Sequence, residues 1–286
     1  MHRRLINHLP NKNTMTKLPF LSSSFHSPPP PPHTIIIDWD ETLTTEDTIQ
    51  YLAQVPYINS PQLQPSFSHY TEIYMTNYVN YRSQFGECST LDDYVRFQSG
   101  MEPVEMGSIT ALEKDGIFRG LTELQIRSRD KLVELRPGAV EFLNRCLALN
   151  KEVVILSVNW TSLIIDEVLR RNSIRTESGN GKGIKIVANE FEFDDDEKTT
   201  GRWLPSPKIR TSQDKLDYIN QIKSDTSVNG DANAVMYVGD SLTDLLPVLN
   251  VTYPCAIKDT KLNTLLTQLE IDHFSGTWFD FIKLIK

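Results

Sequence analysis

Short, wholly apolar runs alternate along this chain with longer amphipathic ones, and three of the apolar runs end on polar residues able to do chemistry. Thr34-Ile35-Ile36-Ile37 leads into Asp38-Trp39-Asp40-Glu41-Thr42-Leu43-Thr44, and Glu152-Val153-Val154-Ile155-Leu156 ends at Ser157. Ala234-Val235-Met236-Tyr237-Val238 leads into Gly239-Asp240-Ser241-Leu242-Thr243-Asp244. Continuous apolar runs bounded by turn residues read as strands buried on both faces. Residues 184–187 and 253–257 read as two more. Stretches at 139–149, 161–171 and from Lys215 onward carry helical spacing. Strands alternating with helices predict an α/β fold built on a central parallel sheet.

Between the first two strands lies a long block without strand patterning. A helix is expected from about residue 46 to 55, with Thr44 or Thr45 as its N-cap. Tyr70, Tyr74, Tyr78 and Tyr81 recur on one helical face, a stripe that suits core packing better than substrate stacking. Residues 116–135 read as one further amphipathic helix. This gives a helical unit at 47–135 inserted into a core formed by 34–46 and 136–286.

Composition narrows the class. The 286 residues suffice for one large domain or two small ones, and 39% hydrophobic with 23% charged residues is ordinary for a soluble globular protein. No apolar run approaches the roughly 20 residues that span a bilayer. The net charge of −8 argues against a nucleic-acid partner. It leaves an anionic substrate open, because a bound cation would set the local field. Cys88, Cys146 and Cys255 are odd in number and far apart, which points to a reducing compartment such as the cytoplasm. Residues 1–33 carry Arg3, Arg4, Lys12 and Lys17 and no acid, and close on five prolines at 28–32. They read as a disordered extension with a stiff polyproline II spacer. The same composition resembles a mitochondrial transit peptide, the alternative location, and the proline tract suggests a polyproline-binding protein as a partner. The acidic run at 190–197 lacks the spacing of a calcium loop and reads as an exposed hairpin or loop.

Carboxylates at the carboxyl end of a central strand sit where open α/β sheets bind ligands. The pattern Asp38-x-Asp40-x-Thr42-Leu43-Thr44 resembles the opening motif of the haloacid dehalogenase (HAD) superfamily. Ser157 closing a strand, Lys215 opening a helix, and Gly239-Asp240-Ser241-x-x-Asp244 are similar to its second, third and fourth motifs. The resemblance implies a Rossmann-like three-layer core with a helical C1-type cap after the first strand. It further implies Mg2+, held by the carboxylates of Asp38 and Asp240 and the main-chain carbonyl of Asp40. Asp38 would be the nucleophile and Asp40 the general acid and base. Lys215, preferred to Lys208 because its helix leads directly into the next strand, would offset the charge. Thr42, Ser157 and the amides of Val158 and Asn159 would bind phosphate, and Asp244 would orient Lys215 or a metal-bound water.

The helical insertion and the Ser-x-Asn segment resemble the phosphoserine phosphatase-like branch, in which an acid nine positions after the nucleophile meets the substrate amine. Asp47 stands there, and equally suits the first turn of a helix as a dipole-stabilised acid. The motifs are also similar to thiamine monophosphate phosphatase domains and to fungal HAD proteins. The expected function is hydrolysis of a small phosphorylated metabolite. A phosphomutase, or a non-catalytic interaction module, is the alternative.

Overall fold

The computed structural model describes residues 30–177, 183–226 and 234–285. The N-terminal extension expected at 1–33 lies outside these apart from residues 30–33. β1 (Thr34–Ile37) leads into α1 (Ile49–Asn59), α2 (Phe67–Phe85), α3 (Leu91–Ser99) and α4 (Glu102–Asp115). Next come β2 (Arg119–Thr122), α5 (Glu123–Arg127) and a 3-10 turn at Ser128–Leu132. The chain returns through α6 (Ala139–Ala148), β3 (Glu152–Leu156), α7 (Leu163–Arg171) and β4 (Lys185–Val187). β5 (Phe191–Phe193), β6 (Lys198–Trp203), α8 (Ser212–Thr226) and β7 (Val235–Gly239) follow. It finishes with α9 (Leu245–Val248), β8 (Tyr253–Ile257), α10 (Lys261–Gln268), β9 (Phe274–Gly276) and α11 (Trp278–Phe281).

Among the described residues, six parallel strands form the main sheet in the order β4-β3-β1-β7-β8-β9. Successive side chains of a strand face opposite ways, and β1 uses both faces. Ile35 and Ile37 pack with Phe142 and Leu143 of α6, Ile164 and Val168 of α7, and Trp278. Ile36 packs on the other side with Ile219 of α8, Leu245 of α9, and Leu262 and Leu266 of α10. Three layers result. With Ile37 paired to both Ile155 and Val238, the polar ends of β1, β3 and β7 emerge along one edge of the sheet.

The segment 116–135 is not the single helix that its amphipathic pattern predicts. Gly116, at φ 63°, closes α4, and Gly120, at φ 81°, gives β2 a backbone turn that disfavours helix. Thr122 and Gln125 then form a reciprocal cap that starts α5. β2 pairs antiparallel with β6, giving a second sheet ordered β2-β6-β5 that joins the insertion to the core. The acidic run is a hairpin: Asp194 Oδ1 accepts from the amides of Asp196 (3.1 Å) and Lys198 (3.0 Å), and residues 194–197 are exposed. Thr48, not Thr44 or Thr45, precedes α1, because the Thr44 hydroxyl turns back to the Trp39 and Glu46 carbonyls.

The tyrosine stripe divides. Tyr78 and Tyr81 lie against Phe97 of α3, with ring centroids at 6.2 and 4.9 Å, as core packing requires. Tyr70 is buried in the main core and Tyr74 stacks on Tyr78, and both also line a cavity. No helix among the described residues is long and apolar enough to cross a membrane.

Trp278 ties the last helix to the first loop. Its ring packs on Phe142 at 4.8 Å and its Nε1–H donates to the Thr42 carbonyl at 3.1 Å. Replacing this buried side chain by alanine is expected to cost about 3–5 kcal/mol of stability, read from the urea midpoint of Trp278→Ala against wild type.

Candidate active site

Three carboxylates and one ammonium occupy the crevice at the ends of β1 and β7. Lys215 enters from the first turn of α8, is wholly buried, and donates to Asp38 Oδ1 at 2.6 Å and Asp244 Oδ1 at 2.7 Å. Tyr237 donates to the same Asp244 oxygen at 2.6 Å, while Asp244 Oδ2 accepts from the amides of Asp240 (3.0 Å) and Ser241 (3.1 Å). Asp244 therefore orients Lys215 and braces the turn that presents Asp240. Gly239 makes room for this: a Cβ there would lie 2.4 Å from the Asp244 carboxyl carbon. Thr42 Oγ1 lies 3.1 Å from Asp38 Oδ2 and 2.9 Å from Asp240 Oδ1, so its single proton can serve either carboxylate.

The charges do not balance. Burial disfavours the Lys215 ammonium, but the Asp244 and Asp38 carboxylates outweigh it and hold its pKa above the ordinary lysine value. Burial, then the neighbouring Asp244, pushes Asp38 well above the usual carboxylate range, with Lys215 acting in the opposite direction. The same two causes lift Asp240 to about 7. One ammonium thus faces three crowded carboxylates. Asp38, Asp240 and Asp244 each offer an oxygen within 4.8 Å of the others. Hard oxygen donors short of positive charge suit a small divalent cation such as Mg2+. Since Asp244 is engaged by Lys215, Tyr237 and two amides, Asp38 and Asp240 are the carboxylates best placed to hold one.

Asp40 is fixed separately. Its Oδ1 accepts from the Thr48 amide (2.6 Å) and hydroxyl (2.5 Å), and its Oδ2 from Asn159 Nδ2 (3.0 Å). Trp39 Nε1–H and Asn159 Nδ2–H in turn hold the Thr48 hydroxyl. Burial and the charge of Asp47 raise Asp40 to about 6, against the lowering effect of these donors. Of the two amides expected to face a phosphoryl group, that of Asn159 donates to Ser157 Oγ at 3.0 Å. Val158 lines the cavity and its carbonyl accepts from Asn189 Nδ2 at 3.1 Å. Lys208 is exposed and pairs with Glu102.

Thr48 and Asn189 had no sequence signal tying them to the site. Thr48 could have been marked only as an N-cap type before a helix. Asn189 sits in a loop after β4, where its Nδ2 also reaches the Asn159 (2.8 Å) and Ile209 (2.7 Å) carbonyls.

Beside the crevice lies a cavity of about 370 Å³, floored by Val158 and Thr243 and walled by Phe67, Tyr70 and Tyr74 of α2 and by Trp160. Asp47 stands exposed at its rim, its Oδ1 accepting from the Ile49 amide at 2.9 Å. Glu105 of α4 also faces it, accepting from the Tyr74 hydroxyl at 3.3 Å.

Residues 35–246 match the haloacid dehalogenase-like hydrolase family. The chain belongs to the haloacid dehalogenase-like hydrolases. A CTO1 family protein of Schizosaccharomyces pombe is 34% identical over 217 residues, covering 73% of this chain and 76% of that one. Cold tolerance protein 1 of Saccharomyces cerevisiae is 28% identical over 244 residues, covering 76% and 75%. Among solved structures, a phospho-aspartyl intermediate analogue of phosphoserine phosphatase matches the fold with a TM-score of 0.55 at 15% identity. The match spans 90% of this chain and all of that one.

Removing the one cation between Asp38 and Asp244 leaves buried negative charge uncompensated. Lys215→Met is expected to lose about 3–5 kcal/mol in chemical denaturation near neutral pH. Glu105 gives a pH-dependent prediction. Burial raises its carboxyl from about 4.5 to about 7, so the folded state binds a proton that the unfolded chain has released. Stability therefore falls as pH rises across that window and stays lower above it. Glu105→Gln, which keeps the acceptor for Tyr74, should exceed wild type by on the order of 1–3 kcal/mol at about pH 8 and by little at about pH 5.

Proposed function

We propose that the protein is a Mg2+-dependent phosphatase that hydrolyses a small phosphomonoester through an aspartyl-phosphate on Asp38. The observation that carries this reading is the pairing of two differently held aspartates. Asp38 is gripped by Lys215 in the acidic crevice, whereas Asp40 is held away from that lysine by Thr48 and Asn159. That difference supports the reading of Asp38 as the nucleophile and Asp40 as the proton carrier.

In the first half-reaction an Asp38 oxygen attacks phosphorus, the ester P–O bond breaks, and Asp40 passes its proton to the leaving oxygen. In the second, Asp40 takes a proton from a water whose oxygen attacks phosphorus. The bond to Asp38 breaks and inorganic phosphate leaves. Lys215 holds Asp38 in line and offsets the charge on the transferring oxygens, while Ser157 and the Val158 amide stand at the neighbouring strand end to donate to them. Mg2+, held by Asp38, Asp240 and the Asp40 carbonyl, would supply charge neutralisation of the phosphoryl oxygens. Thr48 and Asn159 keep the Asp40 carboxyl at a fixed angle through both proton transfers. The aromatic walls of the cavity, with Asp47 at the rim, suit an organic portion bearing an amine or a thiazolium, as in thiamine monophosphate.

The test is release of phosphate from p-nitrophenyl phosphate, phosphoserine and thiamine monophosphate, with Mg2+ and with EDTA. Turnover should need the metal and vanish in Asp38→Asn. Asp40→Asn should fall by about 10²–10⁴-fold, most steeply for esters with poor leaving groups. Absence of turnover on every ester by a folded, Mg2+-binding protein would refute the reading. Phosphoryl transfer to a second sugar or alcohol without free phosphate would indicate a mutase instead.

A further inference from the structure

The cavity beside the crevice contains a cation that nothing described so far uses. Arg210 lies two residues before the start of α8 and five before Lys215. It is only 7% exposed, and it lines the cavity. Its Nη1 is buried and has no hydrogen-bond partner among the described residues. The guanidinium lies over the Trp203 ring, 5.0 Å from the centroid, which fixes its plane but satisfies none of its N–H groups.

Each nearby acid has one oxygen engaged by another group, and among the described residues none forms an ion pair with Arg210. Asp214 Oδ2 accepts from the amides of Arg210 (2.9 Å) and Thr211 (2.8 Å), and Glu113 Oε1 from the Trp203 amide (3.0 Å). Glu105 is engaged by Tyr74. Burial accordingly lowers the Arg210 pKa to about 10 despite the attraction of Glu113, Asp214 and Glu105. A buried N–H of a guanidinium with no acceptor is costly, and an anion in the cavity would supply that acceptor.

The loop that carries it is built into the site. Ile209 donates its amide to Asn189 Oδ1 at 3.0 Å, and Asn189 Nδ2 bonds the carbonyls of Ile209, Val158 and Asn159. A single buried asparagine thereby sets Arg210 against the Ser157–Asn159 turn, while Asp214 fixes the backbone between Arg210 and Lys215. Arg210 is held in register with the phosphoryl-transfer residues.

We infer that Arg210 is a specificity-determining residue that binds a second anionic group, carboxylate or phosphate, on the organic part of the substrate. The inference rests on the phosphatase reading and narrows its substrate class to phosphomonoesters with two anionic groups, which keeps amine-bearing esters such as phosphoserine and sets aside thiamine monophosphate. The guanidinium presents paired N–H donors to the second anion, and the aromatic walls take the carbon skeleton between the two charges.

The test uses ester pairs that differ in the second anion. O-phosphoethanolamine against O-phosphoserine probes a carboxylate, and propyl phosphate against propane-1,3-diyl bisphosphate probes a phosphate. Wild type should favour the anionic member of at least one pair by about 10²-fold in kcat/KM. Arg210→Gln should remove that preference mainly through KM, and Arg210→Lys should restore part of it. Without ligand, Arg210→Gln should melt at or above wild type, since it relieves an unpaired buried charge. A guanidinium that merely packs on Trp203 would give a lower midpoint. Equal losses on both members of each pair, or no preference in wild type, overturn the inference.

The same pairs are read as ligand-induced melting shifts in Asp38→Asn, alone and combined with Arg210→Gln, which needs no turnover. Failure of all hydrolysis together with an anion-dependent shift that requires Arg210 would refute the phosphatase reading and support the anion site. Hydrolysis together with a shift indifferent to Arg210 would refute the anion site alone.

Discussion

The buried ammonium of Lys215 is the interaction on which the site depends. It reaches Asp38 at the end of β1 and Asp244 beyond the end of β7, and so joins two adjacent strands through their chemistry as well as their backbone ladder. Burying an ammonium is expensive unless it is paired on more than one side. Here two carboxylates surround it, and Tyr237 with two backbone amides hold the second of them. For Asp240 burial and the charge of Asp244 outweigh the attraction of Lys215, and so the crevice is short of positive charge. The sheet supplies geometry to match. β1 is buried along its whole length between β3 and β7, so Asp38 cannot move without moving the core.

Much of this architecture was legible in the sequence, for a physical reason. Parallel strands covered by helices on both faces are written as unbroken apolar runs, and their ends are written as the first polar residue afterwards. The strands preceding Asp38, Ser157 and Asp240 were readable in that way, and Lys215 was readable because its helix has a clear inner face. Of the second sheet, β5 and β6 were legible only as the hairpin or loop expected at the acidic run. β2 was not: it is short, carries Arg119, and exists because it pairs with β6 across a long chain separation. β9, only three residues long, was hidden for the same reason.

The hydrogen-bonded fittings of the site were equally invisible. Thr48 and Asn159 meet at Asp40 although far apart in the chain, and Asn189 joins two loops through backbone carbonyls that have no residue-type signature. Arg210 looks in the sequence like a neighbour of Lys208 in a polar loop. Only burial and the missing partner separate the two: Lys208 lies at the surface with Glu102, while Arg210 is enclosed with an aromatic ring beneath it. Sequence shows which residues can do chemistry, and tertiary packing decides which of them are left unsatisfied.

The central position of β1 also has a kinetic consequence. Thr34 pairs with Glu152 on one side and Val235 on the other, so β1 leaves the ribosome before either neighbour and waits for partners made much later. Until β3 and β7 arrive, its isoleucines and both unpaired edges are open to other chains. Such long-range pairing slows folding and exposes intermediates to aggregation. The strand that carries Asp38 is therefore also the one most in need of protection while the protein is being made.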